Sequence, residues 1–517
     1  MHMANKGLFA SAVAKLLPRA DAVNREGAPA YAYGPEAKLA QIAATGTLSD
    51  SFYGTAEMQL ADVLEAARAV DPLFVAKAAV YARTSGVMKD MPALLTAWLT
   101  LAEPDLSVRV FGRVIDNGRM LRSFVQIMRS GQVGRTSLGS RPKRMVQQWL
   151  EQASMRDLMQ AATGNTPSLA DIVKMVHPRP ADATRKAFYG WLIGRPYDVA
   201  ALPVEIAAFE AWKQDRALPL PEVPFEWLTA YPLVAGQWAV LAGRMGWQAL
   251  RMNLNTLARN GAFGVDGVTD KVAARLADRN ALRAVRPMPY QLIVALGQVG
   301  DGVPLKVQAA LEEALEQSLA RVPKVPGRVV VCPDVSGSMS MPATGYRKGA
   351  SSKVRCIDVA ALVAAAMLRS NRQARIIPFE QTVVPVALTA TDRIAANAAK
   401  LAAVGGGGTN VSAPLALLNK EKAAVDLIVI VSDNESWVDA TRNGSTATMQ
   451  EWTKLVKRNP QAKLVCIDIA PYGTTQTTGR PEILNVGGFS DAVFECLARF
   501  VSGETRDWVS IVEQVEV

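Results

Sequence analysis

From about residue 36 to residue 321, apolar positions recur every three or four residues. Leu60, Val63, Leu64 and Ala67 form one such stripe, and Ala93, Leu94, Ala97, Trp98 and Leu101 form another. That spacing lines one face of a helix. The pattern is punctuated at short intervals by Asp71-Pro72, Glu103-Pro104, Asn117-Gly118, Thr166-Pro167 and His177-Pro178. Short helices with tight connections and no strand-like alternation predict stacked helix pairs of the HEAT-like, solenoid kind. No clean repeat period accompanies them. The proline-rich stretch from Leu218 to Pro224 reads as an extended connection between two helices.

The character changes after Val322-Pro323-Lys324-Val325-Pro326-Gly327. Apolar runs become short and β-branched: Val329 to Cys332, Arg375 to Ile377, Leu427 to Val431 and Lys463 to Ile467, with helix-like stretches such as Ile357 to Arg369 between them. Alternating β and α segments with continuous apolar strands predict a doubly wound, mostly parallel α/β sheet. The expected division is therefore a helical-repeat domain over 1–325 and an α/β domain over 326–517.

Composition narrows the class. The chain has 517 residues, 50% hydrophobic and 20% charged, which predicts packed globular structure. The longest apolar run, Val359 to Leu368, is far short of the ~20 residues of a membrane span. Met1 to Leu17 lacks the apolar core and cleavage site of a signal peptide. The expectation is a soluble, cytoplasmic protein without membrane contact. Cys332, Cys356, Cys466 and Cys496 are far apart in apolar contexts, so they read as small buried hydrophobes, neither disulfides nor zinc ligands.

Charge is uneven. Residues 1–325 hold 37 Lys and Arg against 29 Asp and Glu, an excess of 8 within the chain's net +10. Arg109, Arg113, Arg119, Arg122, Arg129, Arg135, Arg141, Lys143 and Arg144 lie in one stretch whose single acid is Asp116. A dense basic run without acidic partners favours a polyanion-binding face over an ordinary solvated surface.

The first α/β strand runs into Asp334-Val335-Ser336-Gly337-Ser338. Ligands of doubly wound sheets bind beyond the carboxyl ends of the strands. A turn there, permitted by Gly337, puts one carboxylate and two hydroxyls on the same side of the chain. Hard oxygen donors of this kind suit Mg²⁺ first, or Mn²⁺ or Ca²⁺. Gly405 to Gly408 precedes the hydroxyl of Thr409, and Asp433 follows the strand ending at Val431-Ser432. No Gly-Lys-Ser/Thr follows the glycines, which argues against a nucleotide-hydrolysing loop. The three segments in order resemble the metal-ion-dependent adhesion site (MIDAS) of von Willebrand A domains. The resemblance implies Asp334, Ser336, Ser338, Thr409 and Asp433 as metal ligands, with Asp433 often acting through water.

Several helical stretches resemble TROVE-domain proteins of the Ro ribonucleoprotein family. They are Phe74 to Lys77 through Lys89 to Leu94, Gly134 to Gly139 through Arg144, Val173 to Pro178, and Trp247 to Thr256. The resemblance implies a ring of helical repeats joined to a von Willebrand A domain. It further implies a basic outer face for small structured non-coding RNA of the Y RNA kind, and a central hole for single-stranded ends of misfolded RNA. RNA quality control or degradation, with an exoribonuclease such as polynucleotide phosphorylase attached through RNA, is the implied setting. Candidate RNA contacts are Arg135, Arg141, Lys143, Arg144, Lys174, His177, Arg179, Arg185 and Lys186. Arg251, Asn253, Asn255 and Arg259 read equally as backbone ties or RNA contacts. The expected protein is a non-enzymatic RNA-binding scaffold, since no carboxylate cluster in the helical half could hold two metals. The competing reading is a metal-dependent docking protein that takes an acidic protein ligand at the A domain.

Overall fold

The computed structural model describes residues 17–517 apart from 52, 320–321, 344–353 and 438–443. Residues 1–16, read above for a signal peptide, lie outside the described residues. The chain folds into two compact units. One comprises the residues up to Val70, Arg286–Gly297 and Leu315–Val515; the other comprises Asp71–Val285, Gln298–Ala314 and the last two residues.

In the first unit, β3 (Val329–Pro333), β4 (Arg375–Ile376), β5 (Leu427–Ser432), β6 (Lys463–Asp468) and β8 (Ile483–Gly487) form a parallel sheet in the order β4-β3-β5-β6-β8. Every residue of β3 and β5 is buried, as expected of strands covered on both faces. Helices Cys356–Ser370, Ile394–Ala402, Ala413–Lys420, Ala447–Arg458 and Asp491–Ser502 provide the connections and the cover. From β3 the chain moves outward to β4 and then returns to the other side of β3 as β5. This reversal opens a crevice beyond the carboxyl ends of β3 and β5. All four cysteines are buried and none is in a disulfide.

The same unit contains elements from far upstream. β1 (Ala22–Val23) and β2 (Pro29–Ala32) form a hairpin, and β2 pairs antiparallel with β7 (Thr474–Thr475). Helix Pro35–Thr45 packs against β8. The single change of pattern near 325 thus does not divide the molecule in space. Residues 22–68 bury their apolar positions, among them Tyr31, Leu39 and Ile42, against the α/β sheet's surroundings, and this burial overrides sequence distance.

In the second unit, helices Pro72–Thr84, Asp90–Ala102, Pro104–Val114 and Gly118–Arg129 follow one another, and the first two each contact the next two along the chain. Such layering is the HEAT-like stacking read from the sequence. The punctuation residues are its caps. Asp71 accepts from Leu73 N, Asn117 accepts from Arg119 N and Met120 N, and Ser168 forms a capping box with Asp171. The proline-rich connection joins Val204–Gln214 to Phe225–Leu228, held by Arg244 donating to the carbonyls of Leu220 and Pro221.

Candidate metal centre and basic helical face

Asp334 follows β3 and Asp433 follows β5, so pairing of the two strands in parallel register brings the two carboxylates to one crevice. Asp334 and Asp433 are fully buried, as are Ser336, Ser338 and Thr409. Asp334 Oδ1 accepts from Ser336 N at 2.9 Å, and Ser336 Oγ lies 3.3 Å from Ser338 Oγ. These contacts give the one-sided turn expected of the Asp-x-Ser-x-Ser segment. Two main-chain bonds, Gly337 N to Gly407 O and Gly406 N to Val335 O, clasp the first loop to the glycine loop. Thr409 O accepts from Trp437 N, joining the glycine loop to the segment after β5. The glycines are needed for close approach. A Cβ on Gly407 would stand 1.9 Å from Glu380 Oε2, and one on Gly408 would stand 2.3 Å from Trp437 Nε1.

Electrostatics show what the crevice lacks. Burial, together with the charge of Asp433, raises the Asp334 carboxyl far above the usual carboxylate range. Burial likewise raises Asp433, with the nearby Ser338 hydroxyl partly offsetting it. Asp433 Oδ2 is buried and accepts no hydrogen bond of normal geometry. Two desolvated carboxylates in mutual repulsion, one with an unused oxygen, are the donor set that a divalent cation neutralises. Among the described residues no group of three His, Cys, Asp or Glu side chains forms a metal cluster. This set is instead two carboxylates among hydroxyls, a chemistry of hard oxygen donors.

Several residues of the crevice were not singled out in the sequence. Ser432 donates to Asp334 Oδ2 at 2.6 Å. Asp468 ends β6 and is fully buried; Gln41, from helix Pro35–Thr45, donates to its Oδ2 at 2.5 Å and to Ala470 O at 2.7 Å. Glu435 is pushed up to about 8 by burial and by Asp433, and accepts from Arg25 N at 2.6 Å. Asn24 Nδ2 donates to Ser436 O. A carboxylate closing a β-branched run was a readable sign for Asp468. Gln41, Asn24 and Arg25 carried no local signal, because only the fold brings them to the crevice.

In the helical unit, helix Ser140–Gln152 starts with Arg141, Lys143 and Arg144, and no acid sits in its first turn. Gln147, one turn further along, donates to Val176 O at 2.6 Å. That bond sets the middle of this helix, one turn past Arg144, beside the end of Leu169–Val176, which carries Lys174 and is capped by His177 in the left-handed region (φ 49°). Arg144, Lys174, His177, Arg179 and Lys186 are exposed, and Lys143 is partly so. His177 is therefore not a core histidine.

Other arginines of the predicted set have structural partners. Arg185 donates to the carbonyls of Leu150 and Ala153, tying its helix to the end of Ser140–Gln152. Arg135 donates to Thr100 O and Arg122 to Ala161 O. Arg141 pairs with Asp105 at 2.9 Å with both side chains exposed, an arrangement worth little. Arg109 and Arg113 donate to the main-chain oxygens of Val517 and Glu516. Asp116, the lone acid of the run, is taken by Arg83 from outside it. Asn255 donates to Gln298 O and accepts from Gly300 N, a backbone tie, whereas Arg251 and Arg259 donate to the side chains of Gln248 and Thr256. Trp212, Trp238 and Trp247 are buried core.

The description of a Ro60 vWA domain fits residues 328–501. The chain is similar to the RNA-binding protein RO60 of Deinococcus radiodurans, 26% identical over 363 residues that make up 65% of this chain and 66% of that protein. The crystal structure of the Deinococcus radiodurans RO (RSR) protein matches with a TM-score of 0.60 at 21% identity, covering 91% of this chain and 100% of that one, a likeness of fold. Among the described residues no helix is long and apolar enough to cross a membrane. Residues 328–501 thus match a Ro60 von Willebrand A domain, and over 91% of its length the chain shares the fold of that Ro protein, helical repeats joined to such a domain.

Proposed function

We propose that this protein binds RNA, with structured non-coding RNA of the Y RNA kind lying on the basic face formed by Arg141, Lys143, Arg144, Lys174, His177, Arg179 and Lys186. The observation that carries this reading is the Gln147–Val176 bond, which ties the helix of Arg141, Lys143 and Arg144, at a point one turn past Arg144, to the end of the helix that carries Lys174 and His177. Helix N-termini and unpaired Lys and Arg recognise phosphate, whatever the base sequence. No stacking strand motif or base-reading module accompanies them, so shape and backbone charge set recognition. Single-stranded ends of misfolded RNA entering a ring of the repeats, and a role beside an exoribonuclease in RNA quality control, extend the same reading. The similar Deinococcus protein's description as RNA-binding supports it. The test is a titration of fluorescent hairpin RNA across a salt series. Affinity should fall with salt at about 0.7 to 0.9 in log–log slope per phosphate contact and ignore chelators. A salt-independent affinity, or no binding, would refute it.

The unused, buried oxygen of Asp433 favours a second role for the A domain. Asp334, Ser336, Ser338, Thr409 and Asp433 would hold Mg²⁺, or Mn²⁺ or Ca²⁺, with Asp433 through water. The bound ion would supply a Lewis-acidic position for a carboxylate of a protein ligand or a phosphate oxygen. Ser432 and Gln41 position the carboxylates around it by their hydrogen bonds to Asp334 and Asp468. Binding of an acidic peptide that requires Mg²⁺ and is reversed by chelator is the expected result; chelator-insensitive peptide binding would exclude this role.

A further inference from the structure

Away from the metal loops, the unit containing the sheet has a pocket of about 290 Å³. Its walls come from the β2 hairpin, β7, β8 and the start of helix Trp508–Glu513. This volume is at the lower end of small-molecule sites. Tyr31, Tyr33 and Trp508 line it, and Tyr31 and Trp508 are almost fully buried, so their rings are fixed.

The charged groups of the pocket, Asp21 and Asp507, are acceptors. Asn485 Oδ1 accepts from the Thr475 hydroxyl at 3.2 Å and from the Thr477 hydroxyl at 2.7 Å. Both threonine protons are thereby used, leaving oxygen lone pairs. The Tyr31 hydroxyl reaches away to Pro18 O. Asp21 and Asp507 line the pocket and are exposed. One oxygen of Asp21 accepts from Ala32 N, and one oxygen of Asp507 caps the helix at Ser510. Neither carboxylate is in a salt bridge among the described residues. Among the described residues no lysine, arginine or histidine lines the pocket. Two carboxylates beside aromatic side chains and hydroxyl oxygens, with no cationic side chain among the described lining residues, suit a donor-rich cation.

We propose that this pocket binds a small organic cation, an alkylammonium or guanidinium compound of polyamine size. The ammonium or guanidinium group sits between the two carboxylates and against the aromatic rings, and its methylenes occupy the apolar wall at Ile483. Tyr33 reaches from the pocket to Asp468 of the crevice, whereas none of Asp334, Ser336, Ser338, Thr409 and Asp433 lines the pocket, so the proposed cation site is distinct from the proposed metal ligands.

The test is calorimetric titration of the full-length, RNA-stripped protein with putrescine, spermidine and agmatine. Butane-1,4-diol and succinate serve as neutral and anionic controls. Saturable one-to-one binding of at least one cation and none of the controls is expected. Asp21→Asn with Asp507→Asn keeps a side-chain oxygen to accept from Ala32 N and Ser510 N and should weaken binding by about tenfold or more. Gly479 lines the pocket, and a Cβ there meets nothing within 4 Å. Gly479→Trp should therefore fill the space and abolish binding while the melting temperature holds. Asp334→Ala should leave binding unchanged. Equal binding of the diol, no saturable binding of any cation, or cation binding that survives both pocket variants would overturn the proposal. Loss in Asp334→Ala alone would move the cation to the metal loops and equally overturn it.

Discussion

The crevice at the strand ends and the basic helical face use charge in opposite ways. In the crevice, Asp334, Asp433, Asp468 and Glu435 are removed from water; burial raises the cost of ionising all four, and the charge of Asp433 raises it further for the other three. On the helical face, Lys174, Arg179 and Lys186 keep their hydration and are screened from one another by salt. A buried charge must have a counter-charge, so one residue decides the behaviour of the whole site. Exposed charges add in small, nearly independent steps. The comparison also separates two kinds of arginine. Arg185 and Arg135 are occupied with carbonyls at helix ends, whereas Arg144 has no such duty.

The largest effect expected from this contrast is at Asp334. Asp334→Ala should remove divalent-ion binding altogether, read by Mn²⁺ titration or by loss of Mg²⁺-dependent thermal stabilisation. The sheet should survive, because the residue follows β3 and does not pack the core. Retained metal binding, or tight zinc binding by the wild-type protein, would break the assignment of hard oxygen ligands.

Next is reversal of Arg141, Lys143 and Arg144 to Glu, which should weaken structured RNA by about 100-fold at moderate salt and flatten the salt slope by two to three contacts' worth, about 0.7 to 0.9 each. Circular dichroism should be unchanged. Equal affinity of variant and wild type would place the RNA elsewhere.

Arg185→Ala tests the division among arginines. It leaves the carbonyl of Ala153 without the Arg185 donor and that of Leu150 with the Tyr189 hydroxyl as its remaining side-chain donor, so the expected change is a loss of about 1–3 kcal/mol of stability in denaturant melts. If the melt is unmoved and only RNA affinity falls, Arg185 belongs with the exposed set.

The smallest expected effect is that of Lys174→Ala with His177→Ala. RNA affinity should drop about tenfold or less, in keeping with additive exposed contacts. Mg²⁺ binding should not change. A joint loss of both activities in a folded variant would show that charge in the two regions is not separable.

What was legible in the sequence was whatever depends on neighbours along the chain. Buried parallel strands announce themselves as β-branched runs, so β3, β5 and β6 were readable, as were the Asp334, Ser336 and Ser338 turn and the helix caps at Asp71 and Asn117. β1 and β2 were missed, since two and four residues give too short a period-two signal.

The basic run was equally plain as composition, but composition could not say which cations reach solvent. That was decided by tertiary structure, because a guanidinium's availability depends on whether a carbonyl from another helix stands within reach, as at Arg185, Arg135 and Arg122. The crevice shows the same limit. Local sequence supplied its carboxylates and hydroxyls, while the order β4-β3-β5-β6-β8 placed Asp334 beside Asp433. Packing of residues 22–68 beside the sheet then brought Asn24, Arg25 and Gln41 more than 400 residues along the chain to their partners. Hydrogen bonding at that separation leaves no periodicity to read, because the force that brings the segments together is burial of apolar surface, which carries no address in either one alone.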